Sequence, residues 1–402
     1  MSELRSLIEA ARELRERGEP ALIATVVDVH GSSYRKPGAR MLFTAERWLA
    51  GSVSGGCLER DIVAKGPWHT RDARARLVSY DGALDERSGS GCEGVIDVLI
   101  ERAGAADDLT CPINLSARCL STESAGVLFT AFRAPQGDVT VGARHALLAS
   151  GESASSWPAG VLRDQLSALA SELLEDLSVR APAPYVLSLA GVDPPLARGG
   201  TTRIDILVEL VVPPTHLFIF GSAHDAVPLL SLAKAIGWSV TVCEPHAQLA
   251  TRERFRAADR HLVGPLEEAI AALERCVRPA AVVMAHHYER DLAALSALLR
   301  STAPYIGLLG ARRRASRLLA DVTRGGLVLD EQTQRRLHWP VGLAIGAESP
   351  QEIALSIVAE IQAHSAGTAR VICTDERLPR AAEAEFQGAC AARSGAATPS
   401  RA

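Results

Sequence analysis

His216-Leu217-Phe218-Ile219-Phe220, followed at once by Gly221-Ser222-Ala223-His224-Asp225-Ala226, decides the fold of the C-terminal half. The first five residues read as a buried strand, the glycine breaks it, and Val227 to Ile236 then shows helical spacing. Working outward, Ser239 to Cys243 reads as a strand, Leu266 to Cys276 as a helix and Ala281 to Ala285 as a strand. Asp291 to Arg300 follows as a helix, Tyr305 to Leu309 as a strand and Arg313 to Val322 as a helix. This alternation predicts an α/β region, a doubly wound parallel sheet with helices on both faces. Its last helix, Pro350 to His364, has a legible start: Ser349 caps it, Pro350 suits the first helical position, and Glu352 completes a capping box. Periodicity is lost near Gly367, so residues 366–402, with Cys373 and Cys390, are expected to form a disordered tail.

The turn Gly221 to Ala226 occupies the place of a GxGxxG loop, where a helix N-terminus offers free N–H groups to a phosphate. Ala223 replaces the second glycine, so a pyrophosphate would press on a methyl group, which predicts weak NAD binding or none. Glu244, at the end of the second strand, stands where a ribose-binding carboxylate is expected. His224 is read either as a phosphate contact or as a helix cap, and Asp225 belongs to the same loop. His286-His287 follows the third strand at the edge where such sheets bind ligands, and at most one of the pair would face a site.

The N-terminal half begins with an amphipathic helix, Ser2 to Arg17, and a β-branched strand, Ala21 to Val29. Three glycine-rich loops follow: His30 to Met41, which contains Gly38 and Arg40; Gly51 to Glu59, which contains Ser54, Gly55, Gly56 and Cys57; and Ser88 to Gly94, which contains Cys92. Three such loops close together suggest backbone approaching a ligand, or three ordinary turns. Cys57 follows two glycines at an expected helix start, where the dipole and nearby N–H groups favour a thiolate, the form that acts as nucleophile or soft metal ligand. A small buried hydrophobe is the other reading of that thiol. Arg35, Lys36 and Arg40 read as phosphate binders or as a solvated basic loop. Residues 103–200 say little, Arg203 to Val212 is a strand, and Pro213-Pro214 is the expected boundary between two domains, 1–212 and 213–365.

Composition narrows the function classes. A net charge of −4 with 4% aromatic residues gives no basic or stacking surface for nucleic acid. No apolar run is long enough to span a membrane, and the eight cysteines contain no CxxC pair, so reduced thiols and a cytoplasmic location are expected.

GSSYRKPGARM with GSVSGGCLE, and the GxGC run at Gly89 to Cys92, resemble the N-terminal domain of the XdhC/CoxI family, the maturation factors of xanthine dehydrogenase and related molybdenum hydroxylases. LFIFGSAHDA (217–226), VVMAHHYERDL (282–292), YIGLLGARR (305–313) and PVGLAIGAESPQEI (340–353) resemble its Rossmann-like C-terminal domain. The resemblance implies an N-terminal α+β domain of XdhC/CoxI type, variable from about residue 103, followed by a Rossmann-like domain. It implies a chaperone rather than a turnover enzyme, one that binds the molybdenum cofactor as molybdopterin or its dinucleotide form. Such a factor protects the cofactor while a cysteine desulfurase supplies its sulfido ligand, and delivers it to a molybdenum hydroxylase apoenzyme. A homodimer, and no nucleic-acid or membrane partner, is the expected context. Cys57 takes the family's most distinctive cysteine position, as a metal ligand or sulfur-side contact, and Cys92 takes the second; Gly221, His224, Asp225 and Ala226 take the phosphate-loop positions. The chain departs from the family pattern at Ser222-Ala223, Glu93 and Ala344. An NAD(P)-dependent oxidoreductase built on the second domain is the alternative, with His224, His286 and His287 as its candidate acid–base groups. Whichever holds, the glycine loops are expected to face the strand ends of the second domain, within one chain or across a dimer.

Overall fold

The computed structural model of the protein describes residues 2–56, 58–72, 74–81, 94–134, 139–175, 183–190, 203–245 and 253–366. The N-terminal half builds two antiparallel sheets. The first holds strands β1 (Leu22–His30), β2 (Arg40–Phe43), β3 (Trp48–Gly51), β4 (Arg76–Asp81) and β5 (Val95–Arg102) in the order β3-β2-β1-β5-β4. The period-2 pattern of β1 explains its place. Leu22, Ala24 and Val26 pack with Phe43 and with Ile62 of helix α2 (Glu59–His69), while Ile23 turns to Leu7 and Leu14 of helix α1 (Ser2–Glu16).

Helix α3 (Pro112–Ser121) leads into the second sheet, formed by β6 (Gly126–Arg133), β7 (Arg144–Leu148), β8 (Ser153–Ser155), β9 (Tyr185–Ala190) and β10 (Arg203–Val211) in the order β8-β7-β6-β10-β9. Helix α4 (Val161–Glu175) covers one of its faces through Leu166 and Ala170. Val27 and Leu99 of the first sheet meet Phe132 and Leu207 of the second in one buried cluster. Around that cluster three arginines pair with carboxylates of the opposite sheet: Arg40 with Glu209, Arg133 with Asp97, and Arg144 with Glu101.

Beyond Pro213-Pro214, strands β11 (His216–Phe220), β12 (Ser239–Cys243), β13 (Arg260–Leu262), β14 (Pro279–Val283), β15 (Ile306–Leu308) and β16 (Leu337–His338) form a parallel sheet in the order β13-β12-β11-β14-β15-β16. Leu217 and Ile219 of β11 point to the face covered by helices α5 (Ala226–Ala235) and α10 (Pro350–Ser365). Phe218 and Phe220 point to the other face, covered by α6 (Leu266–Glu274), α7 (Tyr288–Arg300) and α8 (Arg312–Arg324). The sheet is therefore doubly wound, and its order reverses between β11 and β14. A short α9 (Glu331–Arg336) precedes β16. The capping box at Ser349 and Glu352 is present on both sides, the hydroxyl accepting from the Glu352 N–H and the carboxylate from the Ser349 N–H.

Three expectations are corrected. Strand β14 runs over Pro279–Val283, two residues earlier than the sequence reading, so His286 is the third residue beyond it and not the first. Helix α6 stops at Glu274, which leaves Cys276 beyond its end, half-buried. Within the chain, the crevice between the N-terminal half and the parallel sheet is lined by Arg5, Glu9, Glu123, His216, Ser239 and Cys276. Since His216 and Ser239 begin β11 and β12, this crevice lies at the N-terminal edge of the sheet and not at its ligand-binding edge. No described helix is long and apolar enough to cross a membrane.

Candidate functional site

The reversal of strand order leaves a gap at the C-terminal ends of β11 and β14, and the chain lines it with polar loops. Gly221 ends β11 at φ 130°, and a Cβ there would come within 2.6 Å of the Ala285 backbone. Its missing side chain thus serves the close approach of two loops to each other. Ala285 is itself held by Asp291, a fully buried carboxylate that accepts the Ala285 N–H at 3.0 Å and pairs with Arg314 at 2.6 Å. That clamp fixes the next residue, His286, in the left-handed conformation at φ 58°. The imidazole Nε2 then meets Asp225 Oδ2 at 2.6 Å. The other oxygen of Asp225, Oδ1, is buried with no hydrogen-bond partner.

Asp225 and His286 stand on the wall of a cleft of about 600 Å³. Its remaining walls are the turn Gly310-Ala311-Arg312 at the start of α8 and the segment 339–347. The N-terminus of α8 opens here with N–H groups that have no partner within the helix, whereas at α5 the Ala226 and Val227 N–H groups donate to the Ala223 and His224 carbonyls and Pro228 has none. Among the described residues, those lining the cleft all lie between Asp225 and Ser356, and none belongs to the glycine loops of the N-terminal half. His224, in the same turn, is exposed.

Glu244 is differently employed. Its Oε2 accepts the Ser222 hydroxyl at 2.8 Å and its Oε1 accepts from Arg290 at 3.0 Å, so the oxygens expected to hold a ribose are engaged inside the protein. The adjoining cavity beside Gly221 and Glu244 measures about 180 Å³, below the range of about 300–1,000 Å³ usual for ligand pockets.

The N-terminal glycine loops are also filled from within. Glu59, 1% exposed, accepts the N–H groups of Val53, Ser54 and Gly56 at 2.8–2.9 Å and the Ser54 hydroxyl at 2.6 Å. Burial alone would raise its pKa, but the Ser54 hydroxyl and the loop N–H groups pull it down from 4.5 to about 2. The concave N–H array that the glycines suggested as a ligand cradle already holds this carboxylate. Arg40 likewise donates to the Gly38 carbonyl and pairs with Glu209 across the two sheets. Gly38, at φ 89°, fits where a Cβ would lie 2.9 Å from Pro184 and 3.0 Å from Glu209 Oε1. Helix α2 begins at Glu59, two residues past Cys57; Cys57 and Cys92 lie outside the described residues.

Sequence reasoning missed the part played by Glu59, although it closes the very loop GSVSGGCLE that was singled out. A glutamate three to six residues after a run of small residues is the signal that could have shown it. The turn at Gly310 to Arg312 was missed as well, since its role depends on tertiary neighbours. Glu59→Gln is expected to cost about 2–4 kcal/mol through the loss of charge-assisted hydrogen bonds. Because the folded pKa lies below the unfolded one, the stabilisation is full above about pH 5 and fades as pH falls from 4.5 towards 2. Urea titrations of wild type and variant should therefore converge on acidification. A constant gap down to pH 2.5 would refute this reading.

Comparison with known proteins accords with the geometry. The family model described as "XdhC Rossmann domain" matches residues 217–361, and that described as "XdhC and CoxI family" matches residues 14–81. A relative from Bacillus subtilis, named as a probable subunit of xanthine dehydrogenase, is 30% identical over 353 residues, covering 87% of this chain and 94% of that protein. A "Molybdenum cofactor insertion chaperone PaoD" of Escherichia coli is 23% identical over 89% of this chain and 87% of that protein. A crystal structure described as a xanthine dehydrogenase from Bacillus halodurans superposes with a TM-score of 0.65 at 25% identity, over 93% of this chain and 98% of that one.

Proposed function

This chain belongs to the XdhC and CoxI family, and from that premise we propose that it is a maturation factor that binds the molybdenum cofactor, supports its sulfuration and delivers it to a xanthine dehydrogenase-type hydroxylase. The names of two relatives, one tied to xanthine dehydrogenase and one a cofactor insertion chaperone, support that role. The observation that carries it is the buried, unpaired Oδ1 of Asp225 at the wall of the 600 Å³ cleft. A buried carboxylate oxygen with no donor is a costly arrangement unless a ligand supplies one. The amide and amino N–H groups along a pterin edge are suitable donors for it.

In this reading Asp225 orients the pterin, His286 holds the carboxylate, and the N-terminus of α8 with Arg312 receives the phosphate tail. When bound, the cofactor supplies the molybdenum centre and the sulfido ligand that the hydroxylase requires. Cys57 provides a soft donor at the sulfur side, a role carried over from the family position. Among the described residues the cleft takes none from the glycine loops of its own chain; in the proposed homodimer Cys57 of one chain serves the cleft of its partner. Residues 1–212 and 213–365 serve as two domains, and a cysteine desulfurase and the apo-hydroxylase are transient partners.

The test is a molybdenum and pterin analysis of the full chain purified from a molybdenum-replete host, together with reactivation of a cofactor-free hydroxylase. About one pterin per chain is expected in the wild type. Cys57→Ser, a hard donor that stays protonated near neutral pH, should lose several-fold in retention with an unchanged melting temperature. Absence of pterin from the wild type, or micromolar NAD affinity with hydride turnover, would overturn the reading.

A further inference from the structure

Three side chains from three distant places meet in the crevice at the N-terminal edge of the parallel sheet. Cys276 Sγ lies 3.4 Å from His216 Nδ1 and 4.0 Å from Glu123 Oε2, and one donor atom of each residue lies within 4.8 Å of the other two. We propose that Glu123, His216 and Cys276 form a binding site for a divalent cation of the Zn²⁺ class, one that fastens the N-terminal half to the parallel sheet.

The spacing suits such an ion. Bonds of about 2.0 Å to nitrogen or oxygen and about 2.3 Å to sulfur at tetrahedral angles place the donors about 3.5 Å apart. Thiolate, imidazole and carboxylate together select a borderline-soft cation over Mg²⁺ or Ca²⁺. Orientation of the imidazole is already set. His216 Nε2 is 2.8 Å from the Thr241 hydroxyl, and the ring stacks on Phe218, so Nδ1 is left to face the thiol. This is the outer-shell support that metal-bound histidines generally have.

Charge also balances. Arg5, Arg278 and Arg260 stand near the crevice, which disfavours a centre with net positive charge. A dication with one thiolate, one carboxylate and a neutral imidazole is neutral, the Cys276 proton passing to solvent as the S–metal bond forms. Arg260 holds Oε1 of Glu123, leaving Oε2 on the side of Cys276. Glu123 itself closes α3 at φ 49°, a left-handed position usually taken by glycine or asparagine. A crevice of about 310 Å³ provides entry and room for a water as fourth ligand.

The test uses the full chain, Co²⁺ as spectroscopic probe and Zn²⁺ as competitor. Wild type should bind one Co²⁺ with a thiolate-to-cobalt charge-transfer band in the near ultraviolet and tetrahedral bands in the visible, all abolished by Zn²⁺. Cys276→Ser should lose the charge-transfer band, and Glu123→Gln should keep it while binding at least about tenfold more weakly. Cys57→Ser with Cys92→Ser should leave the band in place. Its loss in that variant, its survival in Cys276→Ser, or unaltered affinity in Glu123→Gln would overturn the proposal. Pterin retention is a separate readout, so failure here leaves the maturation reading standing.

Discussion

Asp225→Ala is expected to retain about ten- to a hundredfold less cofactor than the wild type while folding at least as stably. The retention loss follows from removing a charged acceptor, whose hydrogen bonds contribute about 1.5–3 kcal/mol. The stability outcome has the opposite sign for a physical reason. In the free protein Oδ1 is buried without a donor, so deleting the carboxylate relieves a desolvation cost, and the lost partner is a half-exposed His286. A carboxylate present only to hold the loop would behave otherwise, with melting temperature and retention falling together. Asp225→Asn adds a control: it supplies an N–H where the ligand would also offer one, and should be as poor as alanine. Retention by either variant at the wild-type level would remove Asp225 from the site.

The largest stability effect is expected at Arg144. Its guanidinium reaches from the second antiparallel sheet to Glu101 of the first, one N–H donating to Oε2 at 2.7 Å, and its Nε donates to the Thr130 hydroxyl at 3.1 Å. Arg144 and Glu101 are 6% and 7% exposed. Arg144→Leu leaves a carboxylate buried and unpaired between the sheets, a change that costs about 3–5 kcal/mol. The double variant Arg144→Leu with Glu101→Leu should recover most of that loss, because an apolar pair of similar volume avoids the desolvation of both charges. Urea midpoints of the two singles and the double decide the matter. A double variant no more stable than the weaker single would show that the pair contributes more than charge compensation.

What was legible in the sequence follows the range of the interactions. Four strands of the parallel sheet could be read because each strand, its turn and its helix are contiguous, and the capping box at Ser349 and Glu352 spans four residues; β13 and β16, three and two residues long, are too short to show a pattern. The second antiparallel sheet could not. Its centre pairs β6 with β10, more than seventy residues apart in sequence, so no local period announces it. Arg40 read as a phosphate binder because its loop is basic and glycine-rich, whereas its partner Glu209 lies 169 residues away. The same limit hid the meeting of Glu123, His216 and Cys276, each unremarkable in its own segment. The strand read at Ala281 to Ala285 runs over Pro279–Val283, with proline at its first residue, where the missing N–H is tolerated.

The two edges of the parallel sheet are divided in their duties, and this bears on how the cleft is reached. The edge where β11 and β12 begin is where the N-terminal half attaches, while the cleft at the opposite edge is walled, among the described residues, by ones between 225 and 356. Access to the cleft therefore needs no hinge between the halves of one chain. In the maturation role proposed above, the contents of the cleft pass to an acceptor enzyme without a hinge motion inside the chain, and the pace of handover is set by docking and by the loops at the rim. Covalently locking the crevice shut should leave the transfer rate unchanged.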